Sequence, residues 1–195
     1  MNVIAVIPAR GGSRRIPLKN IKDFHGKPII AYSIEKAQQS GLFNRIVVST
    51  DDDRIASVAA RYGAEVWHRH PLCGADEIGT QAVMQECLEG LSYCTFSDFA
   101  CCIYATSPLM DIQDLVAGYN ALKRAGFDTF AMSVGYPPLQ DAGQFYWGTA
   151  YAFREGLPLI SENTILIPIE EERVCDINTM FDWTKALVMY EELQK

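Results

Sequence analysis

Apolar residues along this chain fall into short runs separated by stretches of helical periodicity. Residues 3–8, 45–49, 65–67, 100–104, 129–134 and 144–147 read as strands. Between them, Ile55, Val58, Ala59 and Tyr62 recur at helical spacing, as do Ile78, Ala82, Cys87 and Leu91. The clearest helix keeps Ile112, Leu115, Val116, Tyr119 and Leu122 on one face, with Asp111 placed to cap its start and Gly126 to stop it. A last helix begins after Asn178 or Thr179 and carries Trp183, Leu187 and Tyr190. Alternation of this kind predicts an α/β fold: a mostly parallel sheet with helices on both faces and ligands beyond the carboxyl ends of the strands. There is no internal repeat, and the one break in the alternation, residues 135–143, is too short to join two domains. A single domain over residues 1–195 is expected.

Composition narrows the choice of function. With 195 residues, 49% of them hydrophobic, the chain can bury a core and is not a disordered segment. Seventeen basic against 24 acidic residues give a net charge of −7, the wrong sign for a general nucleic-acid binder. No run approaches the roughly 20 apolar residues of a membrane span. The opening MNVIAVIPARGG lacks the layout of a secretory signal. Six cysteines form no Cys-x-x-Cys pair, and reduced thiols in a cytoplasmic protein are expected. Adjacent Cys101 and Cys102 should point to opposite faces of their strand.

Chemistry concentrates after the first strand, in Pro8-Ala9-Arg10-Gly11-Gly12-Ser13-Arg14-Arg15-Ile16-Pro17-Leu18-Lys19-Asn20. Two glycines let a backbone turn tightly and bring N–H groups to a ligand. Four cations, Arg10, Arg14, Arg15 and Lys19, stand together in an otherwise acidic protein. At the mouth of a parallel sheet this suits a polyphosphate. It is neither the Walker A pattern nor the dinucleotide glycine fingerprint.

IPARGGSRRIPLKNI, then GKPIIAYSI and IVVSTDD, resembles the acylneuraminate cytidylyltransferases, which activate nine-carbon keto-acid sugars with CTP. CCIYATSPL and DAGQFYWG are closer to the branch that handles pseudaminic acid than to the sialic acid branch. The resemblance covers nearly the whole chain. It implies a Rossmann-like three-layer sandwich of the nucleotide-diphospho-sugar transferase type. It also implies attack of the sugar's anomeric hydroxyl on the α-phosphorus of CTP, with release of pyrophosphate. Carried over by position, Arg10, Gly11, Gly12, Ser13, Arg14, Lys19, Asn20 and Thr80 would bind the nucleotide. Lys19 would neutralise the α-phosphate, with Arg10 and Asp176 as its catalytic companions. Arg15 lies outside the matching positions and is left to solvent. Tyr104, Thr106, Ser107, Asp141 and Gln144 would contact the sugar, whereas Tyr146 and Trp147 read as core. A Mg²⁺ ion would be held by Asp176 and residue 178.

Three departures from the family pattern bear on these expectations. The second aspartate of the metal motif is Asn178, whose amide brings no charge; Asp176 or Asn178 could equally cap the last helix. The arginine expected before Pro71 is His70, with Arg69 as a candidate substitute. His68, His70 and Cys73 lack a fourth zinc ligand and read as loop residues, and Asp76 and Glu77 as the start of a helix. Finally, relatives carry a long insertion before Asp141 that forms a dimerisation arm and part of the sugar pocket, whereas this chain has only GYPPLQ there. The family dimer is therefore not assured. Two alternatives stay open: a nucleotide- or nucleotide-sugar-binding relative impaired in catalysis, or a transferase for another keto-acid sugar.

Overall fold

A computed structural model describes residues 1–69, 79–91, 94–135 and 140–195. Ile78, His70, Cys73, Asp76, Glu77 and segment 136–139 lie outside the described residues, so the expectations placed on them are not addressed. The chain runs β1 (Val3–Pro8), β2 (Asp23–Phe24), β3 (Lys27–Pro28), α1 (Ile29–Gln39), β4 (Arg45–Thr50), α2 (Asp53–Arg61), β5 (Glu65–His68) and α3 (Thr80–Gly90). It continues through β6 (Phe99–Ile103), α4 (Ile112–Leu122), β7 (Ala131–Gly135), β8 (Gln140–Thr149), α5 (Ala150–Arg154), β9 (Ile165–Ile169) and α6 (Met180–Leu193). Seven strands form one sheet in the order β5-β4-β1-β6-β8-β7-β9. Every pairing is parallel except the two made by β8, which runs against both β6 and β7.

Strand periodicity divides the core in two. Val3, Ala5, Ile7 and Cys101 face one layer with Ile30 and Leu115, while Ile4, Val6 and Cys102 face the other with Met84 and Phe153. The two adjacent cysteines thus lie on opposite faces, and burial pushes both thiols up from their ordinary range. A third cluster, Ile16, Phe24, Tyr32, Ile177 and Trp183, packs between α1 and α6. Its rings meet edge to face, Phe24 lying 5.5 Å from both Tyr32 and Trp183. This cluster seats the basic loop, through Ile16, against the segment before α6, through Ile177.

Several elements differ from the pattern reading. α1 is buried nearly all round, so IIAYSI shows little periodicity to read. β9 contains Pro168 and pairs only with β7 among the described residues, the edge position where a proline is tolerated. β2 and β3 are joined by His25 and Gly26, both at positive φ, as a two-residue hairpin turn requires. β8 extends well beyond residues 144–147 because it is covered on both sides by strands. On α3 the buried face is Val83, Met84, Cys87 and Leu88, and Ala82 is exposed. α4 keeps Asp111 as its cap, accepting from Gln113 N at 2.7 Å. It ends at Leu122, however, through a right-handed Lys123, so Gly126 is not its stop. The cap of α6 is Thr179 in a reciprocal box with Asp182, and neither Asp176 nor Asn178 serves there. Trp147 and Tyr146 are core residues, Trp147 stacked on Phe43 at 5.2 Å.

Candidate functional site

The carboxyl ends of β1, β5 and β6 open into a cavity of about 400 Å³. Pro8 closes β1, Arg69 follows β5, and Tyr104, Ala105 and Thr106 follow β6. The basic loop contributes Arg10, Ser13, Arg14, Arg15, Lys19 and Asn20, and α3 contributes Thr80 and Val83 at its first turns. Five cations therefore face this space, with Asn178 opposite and no carboxylate in the lining among the described residues. In a chain of net charge −7, that segregation makes the cavity a trap for an anion of several charges.

The loop is shaped by neighbours more than by its glycines. Gly11 donates to Asp51 Oδ1 at 2.8 Å, and the buried Asn20 donates to the carbonyl of Arg10 at 2.9 Å. Neither Gly11 nor Gly12 has positive φ; the left-handed residue is Leu18 at φ 52°. The tight-turn role expected of the glycines falls instead on a leucine, which leads into the short helical turn that begins at Lys19. Gly11 is needed for room, because a Cβ there would sit 2.4 Å from Asp52 Oδ2. Lys19 Nζ donates to the carbonyl of Ile177 at 2.6 Å. Burial lowers its pKa, opposed by the nearby Asp176 carboxylate.

Arg69, the candidate substitute for the arginine expected before Pro71, lines the cavity. Its backbone N–H continues from β5 onto Thr50 O at 2.9 Å. Its guanidinium donates to Ser49 Oγ at 2.9 Å and Ser49 O at 2.8 Å, which fixes it under the cavity floor. Arg15, set aside above as solvent-facing, also lines the cavity and donates through Nη2 to Asn178 Oδ1 at 2.9 Å. What the sequence does not signal is how either is held: each is positioned by a residue distant in the chain.

On the other wall Tyr104 and Thr80 pair through their hydroxyls at 3.0 Å. Burial pushes the Tyr104 phenol above its ordinary range. Tyr104 and Thr106 line the cavity, whereas Ser107, Asp141 and Gln144 are not in its lining. Ser107 Oγ donates to Gly143 O at 3.2 Å, and Asp141 accepts from Gly143 N at 2.8 Å and from the Tyr146 hydroxyl. Gln144 is buried and donates to the carbonyl of Arg173 at 2.7 Å. Ser107 and Asp141 hold the turn at Gly143, which at φ 63° backs directly onto Asp176, while Gln144 ties β8 to Arg173.

Asp176 is an exposed carboxylate beside Lys19. A hard divalent ion commonly takes one or two carboxylates and completes its shell with substrate phosphates and water, and Asp176 fits as one such ligand. Asn178 is not assembled as the second. Segment 174–178 is not a strand, and the amide NH₂ of Asn178 turns to Asp176 Oδ2 while its oxygen turns to Arg15. An amide has a donor half as well as an acceptor half, and the nearest carboxylate claims the donor. Among the described residues no group of three or more His, Cys, Asp or Glu side chains comes together as a metal site, and no helix is long and apolar enough to cross a membrane.

A family model described as cytidylyltransferase matches residues 4–146. The pseudaminic acid cytidylyltransferase of Campylobacter jejuni subsp. jejuni serotype O:23/36 (strain 81-176) is 35% identical over 225 aligned positions, covering 98% of this chain and 97% of that one. That alignment is longer than the chain itself, so the relative carries stretches with no counterpart here. The CMP-N,N'-diacetyllegionaminic acid synthase of Legionella pneumophila subsp. pneumophila (strain Philadelphia 1) is 54% identical over 70 residues, 35% of this chain and 30% of that one. Among solved structures, a CMP:2-keto-3-deoxy-manno-octonic acid synthetase complexed with CTP superposes with a TM-score of 0.80 at 16% identity, covering 99% of this chain and all of that one.

Proposed function

Because this chain belongs to the cytidylyltransferase family, we propose that it couples CTP to a nonulosonic acid of the pseudaminic type, giving a CMP-sugar and pyrophosphate. The observation that carries the reading is the five-cation cavity at the carboxyl ends of β1, β5 and β6. In the proposed reaction the sugar's anomeric oxygen bonds to the α-phosphorus, the oxygen bridging to the β-phosphorus leaves with pyrophosphate, and the hydroxyl proton is released. Such transfers rest on positioning and charge neutralisation. Lys19 and Arg10 would neutralise the reacting phosphate, Arg14 and Ser13 would hold the tail with the Gly12 amide beside them, the Gly11 amide being taken by Asp51, and Asn20 would keep the loop closed. Thr80 and Tyr104 form the opposite wall, where the nucleoside would lie, and Thr106 stands at the sugar side. Ser107 and Asp141 would act on the sugar through the Gly143 turn they hold, and Gln144 through its place beside that turn in β8. A Mg²⁺ ion, when bound with the triphosphate, would be held by Asp176 and would neutralise phosphate charge. Cytoplasmic residence belongs to the same proposal, since free buried thiols suit a reducing compartment.

The test is pyrophosphate release from CTP and Mg²⁺ with pseudaminic, legionaminic, sialic and Kdo acids offered in parallel. Release with pseudaminic acid is expected; silence across the panel from folded protein refutes the reading. The turned amide of Asn178 favours one second reading, a nucleotide binder impaired in transfer. For that protein CTP raises the melting temperature without turnover.

A further inference from the structure

The basic loop is joined to the segment before α6 by two polar contacts, Lys19 Nζ to Ile177 O at 2.6 Å and Arg15 Nη2 to Asn178 Oδ1 at 2.9 Å. Both stand on a packed base. Ile16, next to Arg15, is 1% exposed, and Ile177, next to Asn178, is fully buried in the aromatic cluster under the loop. Arg15 itself is exposed, and among the described residues the acceptor that directs its guanidinium is Asn178 Oδ1. The acceptor could in principle be a carboxylate or an amide, and the two differ in consequence. A carboxylate would orient the guanidinium and cancel its charge in a local ion pair. An amide oxygen orients it and leaves the full positive charge facing the cavity. The other half of the Asn178 amide is held by Asp176, so the oxygen cannot flip away without losing a charge-assisted bond.

We infer that Asn178 is a positioning residue for Arg15, and that Arg15 is a phosphate-gripping cation of the cavity which binds the nucleotide's tail without needing a divalent ion. This rests on the CTP reading above. A guanidinium presents a fixed fork of donors to phosphate oxygens, and a neutral partner lets it do so at no loss of charge. The divalent ion, if it comes, then meets a tail already held.

The experiment is calorimetric CTP binding in EDTA and again with Mg²⁺, for wild type, Arg15→Gln, Asn178→Ala and the double variant, with cytidine as control. In EDTA, Arg15→Gln should weaken CTP roughly tenfold, the scale of a lost charge-assisted contact. Asn178→Ala should weaken it several-fold only while Arg15 is present, so the double variant binds like Arg15→Gln alone. Cytidine, which has no phosphate, should bind all four proteins alike, and Arg15→Lys should recover part of the loss. The inference is overturned if Arg15→Gln matches wild type in EDTA, if Asn178→Ala costs as much without Arg15, or if cytidine binding falls in parallel. Wild-type protein that takes up no CTP in either buffer refutes the proposed function together with the inference; wild type that binds CTP while Arg15→Gln matches it refutes the inference alone.

Discussion

The adjacent glycines of the basic loop should respond oppositely to the same substitution. An alanine Cβ at Gly11 would lie 2.4 Å from Asp52 Oδ2, 2.7 Å from Asp52 Cβ and 2.9 Å from its Cγ. The Cβ of Asp52 cannot swing aside, because its place is fixed by the backbone entering α2. Asp52 also caps that helix, accepting from Arg54 N at 2.8 Å, and it pairs with the Arg54 guanidinium. Relief must therefore come from one of two sources. Moving Asp52 sacrifices the cap, worth about 1 kcal/mol. Moving the loop breaks the bond from Gly11 N to Asp51, a charged acceptor worth roughly 1.5–3 kcal/mol. Gly11→Ala should thus cost about 2 kcal/mol and lower Tm by roughly 4–8 °C for a chain of this size. Gly12→Ala meets no atom within 4 Å and needs no unusual φ, so its effect should stay within about 0.5 kcal/mol. Urea unfolding followed by tryptophan fluorescence measures both, with CTP binding expected to fall for Gly11→Ala and persist for Gly12→Ala. Equal midpoints for the two variants would refute the steric argument.

Other consequences can be measured with the same preparations. Thr179→Ala removes the capping box of α6 and should cost about 1 kcal/mol in urea unfolding. The Thr179 hydroxyl and amide hold the Asp182 carboxyl below its ordinary 3.8. A depressed folded pKa contributes stability that is complete above the unfolded value and is lost as pH falls through the folded one. The wild-type advantage over Thr179→Ala should therefore shrink below about pH 4 in an acid unfolding series. For Lys19 the sign is reversed: burial brings its pKa below 10.5, so the ammonium is lost early as pH rises. CTP affinity should decline before the ordinary lysine range is reached, and that alkaline decline should vanish in Lys19→Met. Arg173 pairs with Asp114 at the base of α4, their side chains 12% and 14% exposed. Arg173→Met strands the carboxylate and should cost about 3 kcal/mol by chemical unfolding.

What could be read from residue order follows from how each feature is encoded. β1, β4 and β6 are apolar runs buried on both faces, and the basic loop declares itself by charge density within ten residues. β9 stayed hidden because Pro168 interrupts a run that would otherwise read as a strand, and α1 because an evenly apolar stretch has no face to detect. The cations of residues 10–19 pointed to a phosphate site. The alignment of Arg69 by Ser49 and of Arg15 by Asn178 could not be foreseen, because those hydrogen bonds span 20 and 163 positions. The resemblance implied a shared ion at Asp176 and Asn178, but residue order does not say which end of an amide faces a carboxylate.

The contacts that close the phosphate floor, Lys19 to Ile177 and Arg15 to Asn178, join residues 158 and 163 positions apart. Pairings of such separation pay their loop-closure entropy late, after local helices and neighbouring strands have formed. During synthesis, then, β1 and β4 can pair while the guanidinium of Arg15 still lacks its acceptor. A ribosome-tethered chain that stops short of residue 176 would carry most of the sheet and all of the loop's positive charge, yet no finished seat for a triphosphate. The seat is finished only when the segment preceding α6 has reached the loop.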